Sequence, residues 1–220
     1  MIDLNKVRLS DLWYVIGYIA TDGYLSVDGR HINITSKDRD HLYLIREALF
    51  LTNKIGKKAR AKGRKKEYSQ LQFGDVAFFR YLVALGLTPH KSLTLGPLNI
   101  SNVFFSDFLR GVIDGDGNIS TWIHRTNRNR QWCLRIFSAS EAFIKWLNKG
   151  IADYFGIEGK LYFEKRTERK NGHFVLKYGK KSAIEILGKL YYEEALSLKR
   201  KHQKAKLCLQ VESKSGKLYL

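Results

Sequence analysis

One nine-residue pattern occurs twice in the chain, and this repetition constrains the fold more than any other feature of the sequence. The first copy is Val15-Ile-Gly-Tyr-Ile-Ala-Thr-Asp-Gly23, and the second is Leu109-Arg-Gly-Val-Ile-Asp-Gly-Asp-Gly117. Each copy is a short apolar segment that ends in an aspartate and a glycine. Because such self-similarity is the signature of a duplicated structural unit, we predict two halves of similar fold.

The segments after the two copies also match, and they predict the same order of elements in both halves. The first matched pair is the alternating strands His31-Ile-Asn-Ile-Thr-Ser36 and Cys133-Leu-Arg-Ile-Phe-Ser138, and each is followed by an amphipathic helix, at about residues 38–51 and 140–155. Next come hairpins that open at Gly56-Lys57 and Gly159-Lys160. Each half then continues with a helix, after Leu71-Gln-Phe-Gly74 and after Leu176-Lys-Tyr-Gly179. Each half therefore has the order αββαββα, and the chain is predicted to be an α+β protein with two antiparallel sheets. Both prolines lie in residues 88–102, so we predict a boundary there and domains at residues 1–98 and 99–220.

The alternation in the predicted strands separates an apolar face from a polar one. Ile32 and Ile34 share one face, and Asn33 lies on the other; Leu134 and Arg135 differ in the same way. An antiparallel sheet that is covered by helices on one face leaves its other face free. We expect a ligand on the polar face.

Small residues recur four positions apart in both copies, as Gly17 with Thr21 and as Gly111 with Gly115. Residues at this spacing lie on one face of a helix. Small side chains there allow two helix backbones to approach closely. We therefore predict that the two copies form helices that pack on each other through Gly17 and Gly111.

Packing of these helices would bring their terminal acids, Asp22 and Asp116, close together. Two neighbouring carboxylates repel each other, and the negative end of each helix dipole disfavours them further. A hard divalent cation relieves both effects, because Mg²⁺ prefers oxygen ligands. Two carboxylates with bound metal, in a strongly basic protein, favour metal-assisted hydrolysis of a phosphodiester.

The charge of the chain indicates a polyanionic partner. Lys and Arg number 39 against 21 Asp and Glu, a formal net charge of +18. Nucleic acid is the first candidate and an acidic membrane surface the second, since no apolar run approaches the roughly 18 residues that span a bilayer. Cys133 and Cys208 have no zinc-site spacing, and no signal-peptide core precedes Trp13, so we expect an intracellular protein without structural zinc.

Basic residues concentrate in the predicted hairpins, where they would follow the phosphates of a duplex, while polar residues on the free strand faces would contact bases. A solvated surface is the alternative for each charge run. The predicted DNA-binding residues are Asn33, Arg60, Lys62, Arg64, Gln70, Gln72, Arg125, Arg128, Arg130, Arg135, Arg166 and Lys177. The Lys-rich segment 197–210 is predicted to be a helix that caps the second half, with phosphate contact as the alternative.

Both nine-residue copies resemble the motif of the LAGLIDADG homing endonucleases, of the monomeric double-motif kind. The second copy is very similar to it, the similarity extends over about residues 12–204, and Leu87-Thr-Pro-His-Lys-Ser92 resembles the linker region of many members. The resemblance implies a saddle of two sheets over double-stranded DNA and site-specific, metal-dependent double-strand cleavage with 3′ extensions, as in intron homing. It also implies that Asp22 and Asp116 bind Mg²⁺ or Mn²⁺, together with the backbone carbonyls of Thr21 and Gly115.

Two departures from the family pattern distinguish the halves. Ala20 stands where the first motif acid is expected, while the second copy has Asp114; that position is structural in the family. A basic or polar residue commonly follows the second strand of each family half, and Lys37 fits this catalytic role, whereas the second half has Ala139. We expect an asymmetric site in which one strand is cut more slowly, with a solvated Lys37 as the alternative.

Two other functions remain open from the sequence. The same fold without catalysis would serve as an intron-RNA maturase or as a DNA-binding regulator; retention of both terminal acids favours an enzyme. A nuclease centred on Glu168-Arg-Lys170 has weaker support, because such tripeptides recur by chance.

Overall fold

The computed structural model describes residues 2–58, 67–165 and 172–214, and these residues form two α+β halves with the same order of seven elements, to which the second half adds a final helix. The first half consists of α1 (Leu9–Asp22), β1 (Gly23–Leu25), β2 (His31–Ser36), α2 (Arg39–Ala48), β3 (Ile55–Lys57), β4 (Ser69–Gly74) and α3 (Val76–Ala84). The second consists of α4 (Phe105–Asp116), β5 (Gly117–Ile123), β6 (Arg130–Ser138), α5 (Glu141–Phe155), β7 (Lys160–Glu164), β8 (His173–Tyr178), α6 (Lys180–Leu190) and α7 (Lys199–Lys214). The predicted αββαββα order is therefore confirmed for both halves.

Each half contains one four-stranded antiparallel sheet, and the two sheets have equivalent topologies. The strand order is β1-β2-β4-β3 in the first and β5-β6-β8-β7 in the second. The registers also correspond, since Ile34 pairs with Leu71 in the first sheet and Ile136 pairs with Leu176 in the second. Equivalent positions can therefore be compared directly between the halves.

The helices cover one face of each sheet, and the strand alternation matches this cover. Ile32, Ile34, Leu134 and Ile136 are fully buried, as predicted for the apolar face. Asn33, on the opposite face, remains partly accessible. Burial of these branched side chains against the helices holds each sheet to its own helical layer, and it leaves one face of each sheet uncovered.

The two motif helices, α1 and α4, are in backbone contact. A Cβ atom added at Gly17 would lie 2.0 Å from the carbonyl oxygen of Phe108, and one added at Gly111 would lie 2.0 Å from the carbonyl oxygen of Tyr14. At Gly115 an added Cβ would lie 1.9 Å from Oγ1 of Thr21. No side chain larger than hydrogen fits at these three positions while the helices keep this separation.

Some boundaries differ from the predicted ones for local reasons. Helix α2 ends at Ala48, before the predicted residue 51. Phe50 has a left-handed φ of 53°, and the amide of Leu51 donates to the carbonyl of Arg46, which closes the helix in the manner of a Schellman motif. Helix α7 extends beyond residue 210 and packs against α6 and β5, as predicted for a helix that caps the second half.

Within the described ranges, no helix combines the length and the apolar character that crossing a bilayer requires.

We predict that Gly111→Ala lowers the free energy of unfolding by roughly 3 kcal/mol or more, because the added methyl group would overlap the backbone of α1. Denaturant unfolding of both proteins measures the difference. Gly56→Ala is the matched control, since an added Cβ there meets nothing within 4 Å. Equal destabilisation by both substitutions would contradict the close helix contact.

Candidate metal centre and nucleic-acid interface

Asp22 and Asp116 are the last residues of α1 and α4, and each is followed directly by the first strand of its half. The turn from helix to strand is tight, because a Cβ atom added at Gly117 would lie 2.4 Å from the carbonyl oxygen of Ile113. Gly23 is equally confined, at 2.7 Å from Ile19. Close packing therefore requires glycine after each aspartate, and the tight turns keep the two carboxylates at the neighbouring ends of the packed helices.

Both carboxylates are electrostatically unfavourable in their charged form. Burial, followed by the negative charge of Asp22, raises the pKa of Asp116 to about 6. Burial also raises the pKa of Asp22, against the attraction of Lys201. Asp22 is nevertheless exposed and Asp116 is half-buried, so the pair can be reached from solvent while protein atoms crowd it from behind. The arrangement favours a bound cation.

Two buried lysines lie beside the carboxylates, one contributed by each half. Lys201 of α7 donates from Nζ to the carbonyl oxygens of Ile113 at 2.6 Å and Asp114 at 2.7 Å, at the C-terminus of α4. Lys91 donates from Nζ to the carbonyl oxygen of Gly23, just after α1. Each ammonium group therefore neutralises the negative end of one motif helix.

Burial lowers the pKa of both lysines to about 8, although the charges of the nearby aspartates act in the opposite direction. Only 6% of the Lys91 surface and 4% of the Lys201 surface are exposed. A buried ammonium group that keeps its charge needs carboxylates within interaction distance. Asp116 and Asp22 supply them at Lys91, and Asp114, followed by Asp22 and Asp116, supplies them at Lys201.

Asp114 connects the second motif helix to the chain that precedes α7. Its carboxylate accepts hydrogen bonds from the hydroxyls of Tyr14 at 2.8 Å and Tyr191 at 2.6 Å, and from the amide of Leu198 at 2.6 Å. Burial raises the pKa of Asp114, and these donors oppose the rise. Because Leu198 immediately precedes α7, the network holds this helix where Lys201 reaches the end of α4.

The residues present fit a hard divalent cation. The described residues contain no cluster of three or more His, Cys, Asp and Glu side chains, so a cation here would have two carboxylates as its protein side-chain ligands. Mg²⁺ commonly binds in this way, with water and substrate phosphate as its remaining ligands. A cavity of about 100 Å³ adjoins Asp116, and Thr21, Lys91 and Ser138 also line it. The carbonyl of Gly115 already accepts a long 3.4 Å bond from Lys201.

The residues after the second strands differ between the halves, as the sequence indicates. The Lys37 side chain is exposed, and its Nζ lies 5.6 Å from the ring centre of Tyr68. The lysines whose charges act on the pKa of both motif aspartates are Lys91 and Lys201. The catalytic role of Lys37 stays a prediction. The hydroxyl of Ser36 accepts a hydrogen bond from the backbone amide of Asp38, and the hydroxyl of Ser138 accepts one from the backbone amide of Ser140. Both serines therefore form local turns.

In the first sheet, the predicted base-contacting residues lie together on the uncovered face. Asn33 pairs with Gln72 across β2 and β4, and the side-chain amide of Gln70 donates to the Asn33 carbonyl oxygen. The same amide lies 3.4 Å from Oε1 of Gln72. These three side chains form one hydrogen-bonding surface.

In the second sheet, the predicted residues divide between the two faces. Arg135 pairs with Lys177 on the uncovered face. Arg125 and Arg128 are exposed at the β5–β6 turn. Arg130 alternates with Trp132 and Leu134, which places it on the helix-covered side of β6, half-buried. Arg60, Lys62, Arg64 and Arg166 lie outside the described residues, as do residues 168–170.

The sequence-based prediction missed Lys91 and Lys201. Lys91 belongs to a segment whose sequence indicates a linker, and Lys201 lies in a Lys-rich helix that suggests a solvated surface. A signal was nevertheless present. After the third helix of each half, a leucine and a hydroxyl residue, Leu87-Thr88 and Leu196-Ser197, are followed within a few positions by the lysine.

Comparison with protein families identifies both halves. Residues 10–84 and 106–191 match the model of the LAGLIDADG-like domain. No curated protein sequence matches the chain.

Several solved structures share the fold at low sequence identity. Full-length DUF199/WhiA from Thermatoga maritima superposes with a TM-score of 0.60 at 17% identity. The match covers 94% of this chain and 62% of DUF199/WhiA, so this chain spans less than two thirds of the length of that protein. The LAGLIDADG homing endonuclease I-GzeII in complex with its DNA target gives a TM-score of 0.59 at 13% identity, over 96% of this chain and 92% of that one. I-DmoI in complex with DNA and Ca gives 0.58 at 16% identity, over 90% and 97%.

We predict that Asp116→Asn stabilises the metal-free protein at neutral pH. The pKa of Asp116 rises from 3.8 to about 6 on folding, so the folded chain binds more protons between these values and its free energy of unfolding decreases as pH rises through them. Removing the charge should therefore add about 2 kcal/mol at pH 7, once partial exposure of the side chain is allowed for, and almost nothing at pH 4. Thermal unfolding in EDTA across this pH range measures it.

Addition of Mg²⁺ provides the control. It should raise the melting temperature of the wild type and of Asp153→Asn, an exposed acid on α5, but not that of Asp116→Asn. A stabilisation by Mg²⁺ that survives in Asp116→Asn would contradict the assignment of the cation to this pair.

Proposed function

We propose that this chain, which belongs to the LAGLIDADG-like domain family, is a site-specific endonuclease that makes a divalent-metal-dependent double-strand break in DNA, as a monomer. The single observation that carries the proposal is the position of Asp22 and Asp116 at the packed ends of α1 and α4, where both carboxylates have raised pKa values. A DNA-binding protein without catalysis needs DNA-facing sheets but has no need of two crowded acids.

The net charge of +18 and the free faces of both sheets support DNA as the substrate. The similar fold of I-GzeII was solved with its DNA target, and that of I-DmoI with DNA and Ca. In this proposal Asn33, Gln70, Gln72, Arg135 and Lys177 face the major groove, and the exposed Arg125 and Arg128 contact phosphates. A duplex would therefore lie along both sheets, with its centre over the two aspartates.

Asp22 and Asp116 would hold Mg²⁺ or Mn²⁺, together with phosphate oxygens and the backbone carbonyls of Thr21 and Gly115. Bound metal supplies Lewis-acid activation of the phosphodiester and a water of lowered pKa. Lys91 and Lys201 provide fixed positive charge within the site, which stabilises the negative charge that develops on the phosphate during cleavage. Because their amines are tied to helix-terminal carbonyls, they act as charges in place and not as mobile proton carriers.

The halves are chemically unequal around this centre. Asp114 and its three donors hold Lys201, whereas the first copy has Ala20 at the equivalent position. Lys37 follows β2, whereas Ala139 follows β6. We therefore infer that the two strands of the duplex are cut at different rates.

We predict that Asp22→Asn and Asp116→Asn each reduce double-strand cleavage at least about 100-fold, because each removes one metal-binding carboxylate. The substrate is a supercoiled plasmid that carries the rejoined DNA on either side of the element encoding the chain, or a site selected from a randomised library. Linear product is measured with Mg²⁺ and with EDTA, and binding is measured by electrophoretic mobility shift in EDTA.

Asp153→Asn is the matched control and should cut like the wild type. Both motif variants should still bind the target, since the DNA-facing sheets are unchanged. Full cleavage by the single variants would exclude the two-aspartate mechanism. Tight binding by the wild type without cleavage in any divalent metal would favour an RNA-splicing or regulatory function on this fold.

A further inference from the structure

The uncovered faces of the two sheets differ in one row of side chains beside the metal centre. In the second sheet, Phe137 on β6 and Tyr162 on β7 both pair with Val175 on β8. We call these three residues the apolar row. Phe137 immediately precedes Ser138, which lines the cavity at Asp116. The row therefore lies at the end of the sheet nearest to the paired aspartates.

The equivalent row of the first sheet is polar and small. Thr35 on β2 pairs with Gln70 on β4, and Gly56 on β3 pairs with the same glutamine. The hydroxyl of Thr35 accepts a 3.2 Å bond from Lys58, and nothing lies within 4 Å of a Cβ added at Gly56. Since Ile34–Leu71 and Ile136–Leu176 are corresponding pairs, the two rows occupy matching places in the two halves.

Two of the three side chains of the apolar row are accessible to solvent. Tyr162 is 44% exposed and Phe137 is partly exposed, while Val175 is buried on the same face. The ring of His173 contacts Phe137 with a centroid distance of 5.7 Å. An exposed tyrosine beside a partly exposed phenylalanine, next to charged residues, favours an apolar ligand group at this place.

Charge on the same face favours DNA as the neighbour of this row. Arg135, Lys177 and Lys160 form the adjacent row, since Lys177 pairs with both of the others. Three cations next to a small apolar patch are complementary to the major groove of DNA. Phosphates and guanine acceptors there would attract the cations, and the apolar group that bases present there is the 5-methyl group of thymine.

We propose that the apolar row selects a thymine methyl group in the base pairs next to the cut, in the half-site under the second sheet. The first half-site is selected at the corresponding position by hydrogen bonds from Gln70, which suits adenine. The proposal rests on the DNA-binding part of the proposed function, and it requires an A·T pair at this inner position of the second half-site.

The test is a uracil-interference experiment on binding, with no cleavage step. DNA that the full chain enriches from a randomised library in EDTA is resynthesised with occasional deoxyuridine in place of thymidine, and bound and free fractions are compared position by position. Because deoxyuridine lacks only the methyl group, its presence at the contacted thymines should weaken binding about fourfold, the effect of one buried methyl-sized group. Sensitive positions should lie in one half-site, adjacent to the centre.

The double substitution Phe137→Thr and Tyr162→Ser should abolish this sensitivity at the inner positions and leave other positions unchanged. Trp122→Thr is the matched control, since Trp122 is an exposed aromatic residue, 45% accessible, on the same face at the far end of β5. It should retain the inner sensitivity. Circular dichroism verifies that the double variant folds. If the double variant does not fold, Tyr162→Ser alone should reduce the uracil sensitivity at the inner positions by half or more.

Uniform tolerance of uracil, or inner sensitivity that the double variant keeps, would overturn the proposal while leaving the nuclease unaffected. Uracil sensitivity in a protein that never cuts DNA would support the role of the apolar row and contradict the proposed nuclease activity. Failure to enrich any DNA would overturn both.

Discussion

The contact between the backbones of α1 and α4 is the constraint on which the rest of the structure depends. Gly17 and Gly111 leave no room for a Cβ atom against the facing backbone, so the helices approach until main-chain atoms touch, and Gly115 packs in the same way on the side chain of Thr21. Since each helix leads directly into the first strand of its half, this one contact sets both the separation of the terminal aspartates and the placement of the sheets. A site at the helix ends and a binding surface along the sheets then follow from the same packing.

The electrostatics of the centre follow from that geometry. Helix packing brings two carboxylates to the negative ends of two helix dipoles, where both are disfavoured. Lys91 and Lys201 offset the dipoles by donating to terminal carbonyls, and each is stabilised in its charged form by the aspartates. The pKa of Asp116 remains raised in spite of both lysines, so the compensation is incomplete. In the proposed function, a divalent cation shared with DNA phosphates would complete the compensation.

Much of this arrangement could be predicted from the sequence, because it has a local periodicity. The repeat, the strand alternation at residues 31–36, and the four-residue spacing of Gly17 with Thr21 and of Gly111 with Gly115 each specify a face or an element on their own. Lys91 and Lys201 could not be recognised in this way, because their burial depends on chain segments far apart in sequence, such as the Asp114 contacts to Tyr14 and Leu198. The face occupied by Arg130 depends on where β6 begins, and residues in a charge run do not indicate this. The early end of α2 depends on a left-handed Phe50, a conformation that sequence patterns rarely reveal.

Crystals of the chain bound to a target duplex in the presence of Mn²⁺ would show directly whether Asp22 and Asp116 bind a metal ion. Anomalous scattering locates manganese independently of the protein atoms. We expect a peak between the ends of α1 and α4, within about 2.2 Å of a carboxylate oxygen of both Asp22 and Asp116. Manganese bound elsewhere, or ordered DNA over the two sheets with no metal between these aspartates, would contradict it.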